Sequence, residues 1–347
     1  MRSFVVLIIF TLASVNLFGQ DNYNHNKFRQ LKQELATPNV YRTASGAPGH
    51  EYWQQKADYK IKIRLDDEKQ QIYGEETITY HNQSPDVLKY IWLQLDQNMR
   101  AKNSDSYKIQ SFEMSDRVTF GQLQRMQNDF DGGFKIDYIQ DKNGHELTAT
   151  VNKTMMRVEL PQPLKPGEEF VFNVKWWYNI NNMGKDFGRS GYEYFEDEDN
   201  YLYTIAQFYP RMAVYNEVEG WQHKQFLGTG EFALPFGDFE VSLTVPADHV
   251  VGATGILQNP KDVLTRQQID LLEEAKEADK PVIIVSQEEA EKTEKKKSDN
   301  VKTWIFKAEN VRDFAFASSR KFIWDAMGVK FGDRTVMAMS YYPKEGN

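Results

Sequence analysis

Tyr59-Lys60-Ile61-Lys62-Ile63-Arg64-Leu65, followed by Asp66-Asp67-Glu68-Lys69 and then by Gln71 to Tyr80, is the stretch that decides the fold class. Tyr59, Ile61, Ile63 and Leu65 alternate with Lys60, Lys62 and Arg64. A period of two puts every apolar side chain on one face of an extended strand and every charge on the other. The polar run is a turn, and Gln71 to Tyr80 returns as a second strand.

The same pattern recurs along the chain. Leu88 to Leu95 is apolar on both faces and reads as an interior strand. Phe134 to Tyr138 and Leu147 to Val151 flank Asn143-Gly144, a hairpin turn signal. Met156, Val158 and Leu160 alternate, and Pro161, Pro163 and Pro166-Gly167 then read as a turn. Phe170, Phe172, Val174, Trp176 and Tyr178 form the clearest strand. Phe239, Val241, Leu243 and Val245 repeat it, and Val301 to Phe306 with Phe314 to Ala317 close the series. Many strands at hairpin spacings predict a mostly β fold, an antiparallel β-sandwich or saddle. A short helical insertion at about 264–294 interrupts it. There Thr265 with Gln268 and Ser286 with Glu289 read as capping boxes, and Pro281 to Val285 reads as a strand. Glu291 to Asp299 is a charge run, read as a solvated loop.

Length and composition bound the function. At 347 residues the chain is long enough for about two domains. The net charge of −8, with both signs interspersed, excludes a general nucleic-acid binder. Arg2, the apolar run Phe4 to Leu17 and the polar segment from Asp21 have the plan of a secretory signal peptide over residues 1–20. The run is too short for a stable membrane span. The expected location is therefore outside the cytoplasm, periplasmic or secreted. Residues 21–51 read as a polar lead-in with a short helix around Phe28 to Leu35. With no cysteine, thiolate zinc sites and Cys nucleophiles are excluded.

No complete catalytic or metal motif is present. His50-Glu51-Tyr52-Trp53-Gln54 and His145-Glu146-Leu147-Thr148-Ala149 each lack the second His of H-E-x-x-H. Gly184 to Gly191 is glycine-rich without the Walker A order and reads as a flexible loop. Glu193, Glu196, Asp197, Glu198 and Asp199 lack calcium-loop spacing and read as a solvated acidic loop. Of the seven tryptophans, Trp176 and Trp177 occupy opposite faces of one strand, so at most one joins the main core. A surface tryptophan could stack on a sugar.

Four stretches together resemble the N-terminal, non-catalytic domain of aminopeptidase N-like zinc metallopeptidases, the group that includes the leukotriene hydrolase relatives. They are Tyr59 to Tyr80; Gln207-Phe208-Tyr209-Pro210-Arg211 followed by Gly220-Trp221; Gly237-Asp238-Phe239-Glu240-Val241 running to Val245-Pro246-Ala247 and Ala253-Thr254-Gly255; and Val311-Arg312-Asp313-Phe314-Ala315-Phe316-Ala317. The resemblance covers roughly residues 52–325. It implies a saddle of β-sheets over a catalytic domain that carries the zinc, so zinc is expected in the full-length protein and no cofactor in this chain.

On that resemblance residues 326–347 are the start of a truncated catalytic domain, with Asp333 to Tyr342 a strand cut off from its partners. The partners implied are the chain's own missing catalytic domain and peptide substrates. Gln207 matches the family's amide near the substrate's free amino group, and its oxygen can accept from an ammonium without carrying a full charge. Tyr209 stands where many members have an acid, which puts strict aminopeptidase action in question. Gln207 and Tyr209 are the substrate-binding candidates, and no catalytic residue is assigned.

The expected function is the substrate-shaping domain of an exported zinc metallopeptidase that trims peptides from the amino end. The alternatives are a free-standing β-sandwich module binding glycan or protein outside the cell, and an inactive peptidase relative serving as a scaffold.

Overall fold

The computed structural model describes residues 38–109, 117, 119–120, 130–186, 189–228, 230 and 233–346. The expected signal peptide at 1–20 and the helix around Phe28 to Leu35 lie outside the described residues. The chain divides into two units after Trp53. In the first, the Asn39 side-chain oxygen accepts from the backbone N–H of Tyr41 and of Arg42, both at 2.8 Å. Arg42 forms an isolated bridge with Pro48, and its guanidinium lies over the Tyr52 ring.

The second unit opens with β1 (Lys56–Asp66) and β2 (Gln71–His81), the predicted hairpin, in register from Lys56↔His81 to Asp66↔Gln71. Then come β3 (Leu88–Gln94), β4 (Lys135–Asp141), β5 (Ala149–Asn152), β6 (Met155–Leu164) and β7 (Glu169–Asn179). β8 (Gly191–Phe195) and β9 (Asn200–Ile205) precede three two-residue strands, β10 (Arg211–Met212), β11 (Tyr215–Asn216) and β12 (Gly220–Trp221). β13 (Gly237–Pro246), β14 (Val250–Ala253) and β15 (Ile256–Leu257) lead into the helical insertion, which holds β16 (Val282–Val285). β17 (Val301–Val311), β18 (Phe316–Ser319), β19 (Ile323–Phe331) and β20 (Arg334–Tyr342) complete the order.

The fold is mostly β and sandwich-like, as the alternation predicts. The largest sheet runs β15-β17-β13-β1-β2-β7-β4, and two four-stranded sheets run β10-β3-β6-β5 and β14-β18-β9-β8. One pairing departs from the antiparallel expectation: β1 and β13 are parallel, with Tyr59↔Phe239 to Arg64↔Thr244 in register. Gly237, the first residue of β13, passes close to the β1 backbone just before that pairing. A Cβ there would meet the Ala57 carbonyl oxygen at 1.6 Å.

The inward faces share one core, in which Ile61, Ile78, Val174 and Val241 of the large sheet join Ile91 and Val158 of a smaller one. Burying each such side chain contributes about 1.5–3 kcal/mol. Trp176 is buried and donates its indole N–H to the Phe208 carbonyl at 3.1 Å. Its neighbour in register is Gly74, where a Cβ would lie 2.3 Å from the indole. Trp177 on the other face is half-buried.

The helical insertion forms as predicted. Thr265 and Ser286 both complete capping boxes, on helices Arg266–Ala275 and Gln287–Thr293. Four local expectations are corrected. Asn143-Gly144 turns the chain, with Leu147 N–H donating to the Ile139 carbonyl at 3.0 Å. The flanking strands then part, β4 pairing with β7 and β5 with β6, because each finds a longer partner elsewhere. Pro161 and Pro163 lie within β6, not in the turn. The register with β3 jumps from Leu88↔Leu164 to Tyr90↔Glu159, and a bulge needs no N–H from a proline.

The charge run at 291–299 is not wholly solvated. Glu294 is buried and binds Lys321 Nζ at 2.7 Å and Lys344 Nζ at 2.8 Å. Its neighbour in this cage is Glu198 of the predicted acidic loop, 2.6 Å from Lys344. Finally, β20 is not a lone strand but the edge of a three-stranded sheet. It pairs with β19 over Ile323↔Tyr342 to Phe331↔Arg334, and β19 also pairs with β16.

Candidate functional site

The site is built on a single 3-10 turn, Asp96–Arg100, that ends the interior strand β3. The strand is apolar, so the polar residues that follow it are carried inward with it. Asp96, Gln97 and Arg100 are all buried. Asp96 accepts from Arg211 Nε at 3.0 Å and Nη2 at 2.9 Å. Arg211 in turn donates through Nη1 to Asp313 Oδ2 at 2.7 Å. Tyr209 Oη donates to Asp313 Oδ1 at 2.8 Å.

The electrostatics follow from burial. Desolvation pushes the Asp96 carboxyl above its ordinary range, and the Arg211 guanidinium pulls against it. Burial alone would lower Arg211, but Asp96 and Asp313 hold it protonated. The Tyr209 hydroxyl is driven well above its ordinary value, first by burial and then by the Asp313 charge, so it stays a donor. A guanidinium held between two carboxylates suits the planar, bidentate geometry of arginine.

Above this bridge lies an open cleft of about 560 Å³. Arg100, Arg189, Arg211, Arg312, Gln207 and Asp313 line it, with Met99, Phe226 and Leu234 supplying apolar wall. Gln207 holds a backbone φ of +54°, a region few non-glycine residues occupy. Gln97 Nε2 braces that conformation by donating to the Gln207 carbonyl at 3.0 Å, with a longer 3.4 Å contact to the Ala206 carbonyl. Ser190 Oγ closes the other side, accepting from Ala206 N–H at 3.0 Å. A strained residue held by its surroundings at the wall of a cleft is the kind of position where function concentrates.

The two sequence candidates part company. Gln207 lines the cleft. Tyr209 is 1% exposed, does not line the cleft, and reaches it through its hydrogen bond to Asp313. Asp96, Gln97, Arg100 and Arg189 were not singled out by the sequence, because no fixed spacing links them, and Arg312 stands in a quoted stretch beside Asp313 without a role assigned to it. Arg211 and Asp313 stand in quoted stretches, but their pairing across 102 positions leaves no local signal.

The four stretches that carry the family resemblance meet under this cleft. Tyr59 stacks on Phe239 at 4.7 Å and meets Tyr209 edge-on at 5.3 Å. Phe239 also stacks with Phe314 at 6.1 Å. Each of the four rings comes from a different stretch.

Among the described residues no group of three or more His, Cys, Asp or Glu side chains could hold a metal ion, so the residues present do not fit a zinc site. The near-miss histidines belong elsewhere: His145 Nδ1 is 3.1 Å from Asp141, and His50 lies in the first unit. No described helix is long and apolar enough to cross a membrane. Trp176, Trp221, Trp304 and Trp324 are buried. Trp92 is half-buried and stacked on His223 at 5.0 Å, and Trp177 lies near Tyr73 at 6.3 Å.

No protein-family model and no curated protein sequence matches the chain. Among solved structures the chain is similar to the M1 zinc metallopeptidase from Deinococcus radiodurans, with 14% identity and a TM-score of 0.44, covering 84% of this chain and 47% of that one. It is also similar to a two-domain M1 zinc metallopeptidase mutant bound to L-tryptophan (14% identity, TM-score 0.44, 86% and 50% covered). A mutant of the two-domain enzyme bound to L-arginine gives 15% identity and a TM-score of 0.43, with 84% and 48% covered. The chain spans about half the length of these structures.

Proposed function

We propose that this chain is the substrate-shaping β portion of an exported zinc metallopeptidase that acts on peptides from the amino end. The observation that carries the reading is the convergence of the four resembling stretches on one cleft, with Gln207 in its wall. The chain walls the cleft and holds the peptide's free amino group through the Gln207 amide oxygen. The Arg211 bridge to Asp96 and Asp313 keeps the two sides of the wall in fixed relation. The zinc and the residues that bind it belong to a catalytic domain that the described residues do not supply. Export is supported by the apolar N-terminal run after Arg2.

The test is a titration of the 1–347 chain, followed by NMR, with Ala-Ala-Ala and with its N-acetylated form. The free tripeptide should bind and the acetylated one should not, and Gln207→Ala should abolish the difference. Equal binding of both forms would overturn the role given to Gln207. Chelator-sensitive peptidase activity in pure 1–347 would overturn the division of labour. Reading the DNA beyond the Asn347 codon for H-E-x-x-H and a later Glu checks the expected catalytic domain.

A further inference from the structure

The two ends of the Gln97 amide have different tasks. Gln97 is 2% exposed, so water has little access to its polar atoms. Its Oε1 accepts from Arg100 Nη1 at 3.2 Å. A guanidinium is a donor only, so it takes the oxygen of the amide and turns the NH2 group the other way. Nε2 then donates to the Gln207 carbonyl at 3.0 Å and, more weakly, to the Ala206 carbonyl at 3.4 Å. Ser190 Oγ holds the same segment, accepting from the Ala206 N–H at 3.0 Å and donating to the Ala206 carbonyl at 3.2 Å. Between these bonds Gln207 keeps its φ of +54°. The direction of a side chain follows the backbone of its own residue. The carbonyls that Gln97 holds therefore also fix where the Gln207 amide points. Gln207 lines the cleft and Gln97 does not.

We propose that Gln97 is a positioning residue for the peptide's amino end, acting through the Gln207 backbone and touching no ligand itself. The inference rests on the peptide-binding reading above and adds the residue that sets the Gln207 amide. Glutamate is the informative replacement. It has nearly the same shape and still accepts from Arg100, but a carboxylate has no hydrogen to give to the two carbonyls. Gln97→Glu releases the Gln207 backbone and places an oxygen against it, while the buried volume stays filled.

The experiment is NMR titration of the 1–347 chain and its variants with Ala-Ala-Ala and with the N-acetylated form. The parent should bind the free peptide about tenfold more tightly, the order of a hydrogen bond to a charged group. Gln97→Glu should bring the two affinities together by weakening the free peptide alone. Gln97→Met fills similar space without the amide donor, and it should lose the preference too. The double variant Gln97→Glu with Gln207→Ala should bind both peptides as Gln207→Ala alone does, because the two changes act on one group. A preference retained in both Gln97 variants overturns the positioning role and leaves the peptide reading standing. Equal weakening of both peptides, further weakening in the Gln207→Ala background, or unfolding of both Gln97 variants makes Gln97 a general support of the wall and also overturns the role. No preference in the parent overturns the reading of Gln207, and the positioning role with it.

Discussion

Arg211 and Asp313 lie 102 residues apart in the chain and are joined by a 2.7 Å bond from Nη1 to Oδ2. On its other side the same guanidinium grips Asp96, at 2.9 Å from Nη2. The Asp96 side chain is 1% exposed and that of Arg211 6%. Removing one member of such a buried pair strands the other charge. Arg211→Ala is expected to cost about 3–5 kcal/mol, and urea unfolding measures it. Asp96, already pushed upward by burial, escapes part of the penalty by taking a proton. The loss should therefore be smaller at pH 4 than at pH 7. An equal loss at both values would show that Asp96 does not carry it.

Glu76 presents the opposite case. It is 1% exposed, faces the core from β2, and among the described residues neither carboxylate oxygen has a hydrogen-bond partner. Burial holds its carboxyl well above 4.5. The folded state therefore binds the proton more tightly than the unfolded state, and this stability is present below pH 4.5 and lost as pH rises. The slope has a ceiling of about 1.4 kcal/mol per pH unit. Glu76→Gln should remove that slope and be the more stable protein at pH 7, read from urea midpoints between pH 5 and 8. Matching slopes in parent and variant would rule the group out.

His249 titrates in the other sense. It is fully enclosed, with Nδ1 2.9 Å from Ser318 Oγ and Nε2 3.9 Å from Asp67. Burial lowers it to about 4, partly opposed by the charge of Asp67. Here the unfolded state binds the proton more tightly. The stability it confers is complete above pH 6.5 and drains away as pH falls toward 4, about 3 kcal/mol in all. His249→Gln should flatten the fall between pH 6.5 and 4 in thermal melts. An unchanged acid limb would place the transition on other groups.

Gly237→Ala tests the parallel pairing of β1 with β13. The new methyl would meet the Ala57 carbonyl oxygen, a backbone atom that cannot rotate away. Separating the strands there should cost at least the ~1–3 kcal/mol typical of overpacking. Amide exchange of β1 should rise more than that of β20, and uniform exchange would argue against a local cause.

Gln207→Gly separates stability from binding. Glycine adopts the +54° φ without strain. The variant should be as stable as the parent, or up to about 1 kcal/mol more stable, while losing discrimination between free and acetylated peptide. Loss of stability on that change would mean that the side chain, not the backbone, holds the wall together.

Which residues face inward could be read from the local pattern alone. Tyr59, Ile61, Ile63 and Leu65 are buried as their alternation requires, and so are Phe172, Val174, Trp176 and Tyr178. Both capping boxes were legible because a cap is a contact three residues long. The burial of a strand face is a local property, since the pleat repeats every two residues.

Which strand lies beside which emerges from the packed fold and not from any local pattern. The parallel pairing of β1 with β13, the parting of β4 from β5, and the pairing of β20 with β19 all depend on partners competing across the whole chain. The cleft belongs to the same class. Gln207 was legible as a candidate through its neighbours in sequence, but the burial of Tyr209 was not. The meeting of Asp96, Arg211 and Asp313 was not either. Hydrogen bonds between such distant residues are selected by where packed sheets bring their ends together, and no spacing along the chain records that distance.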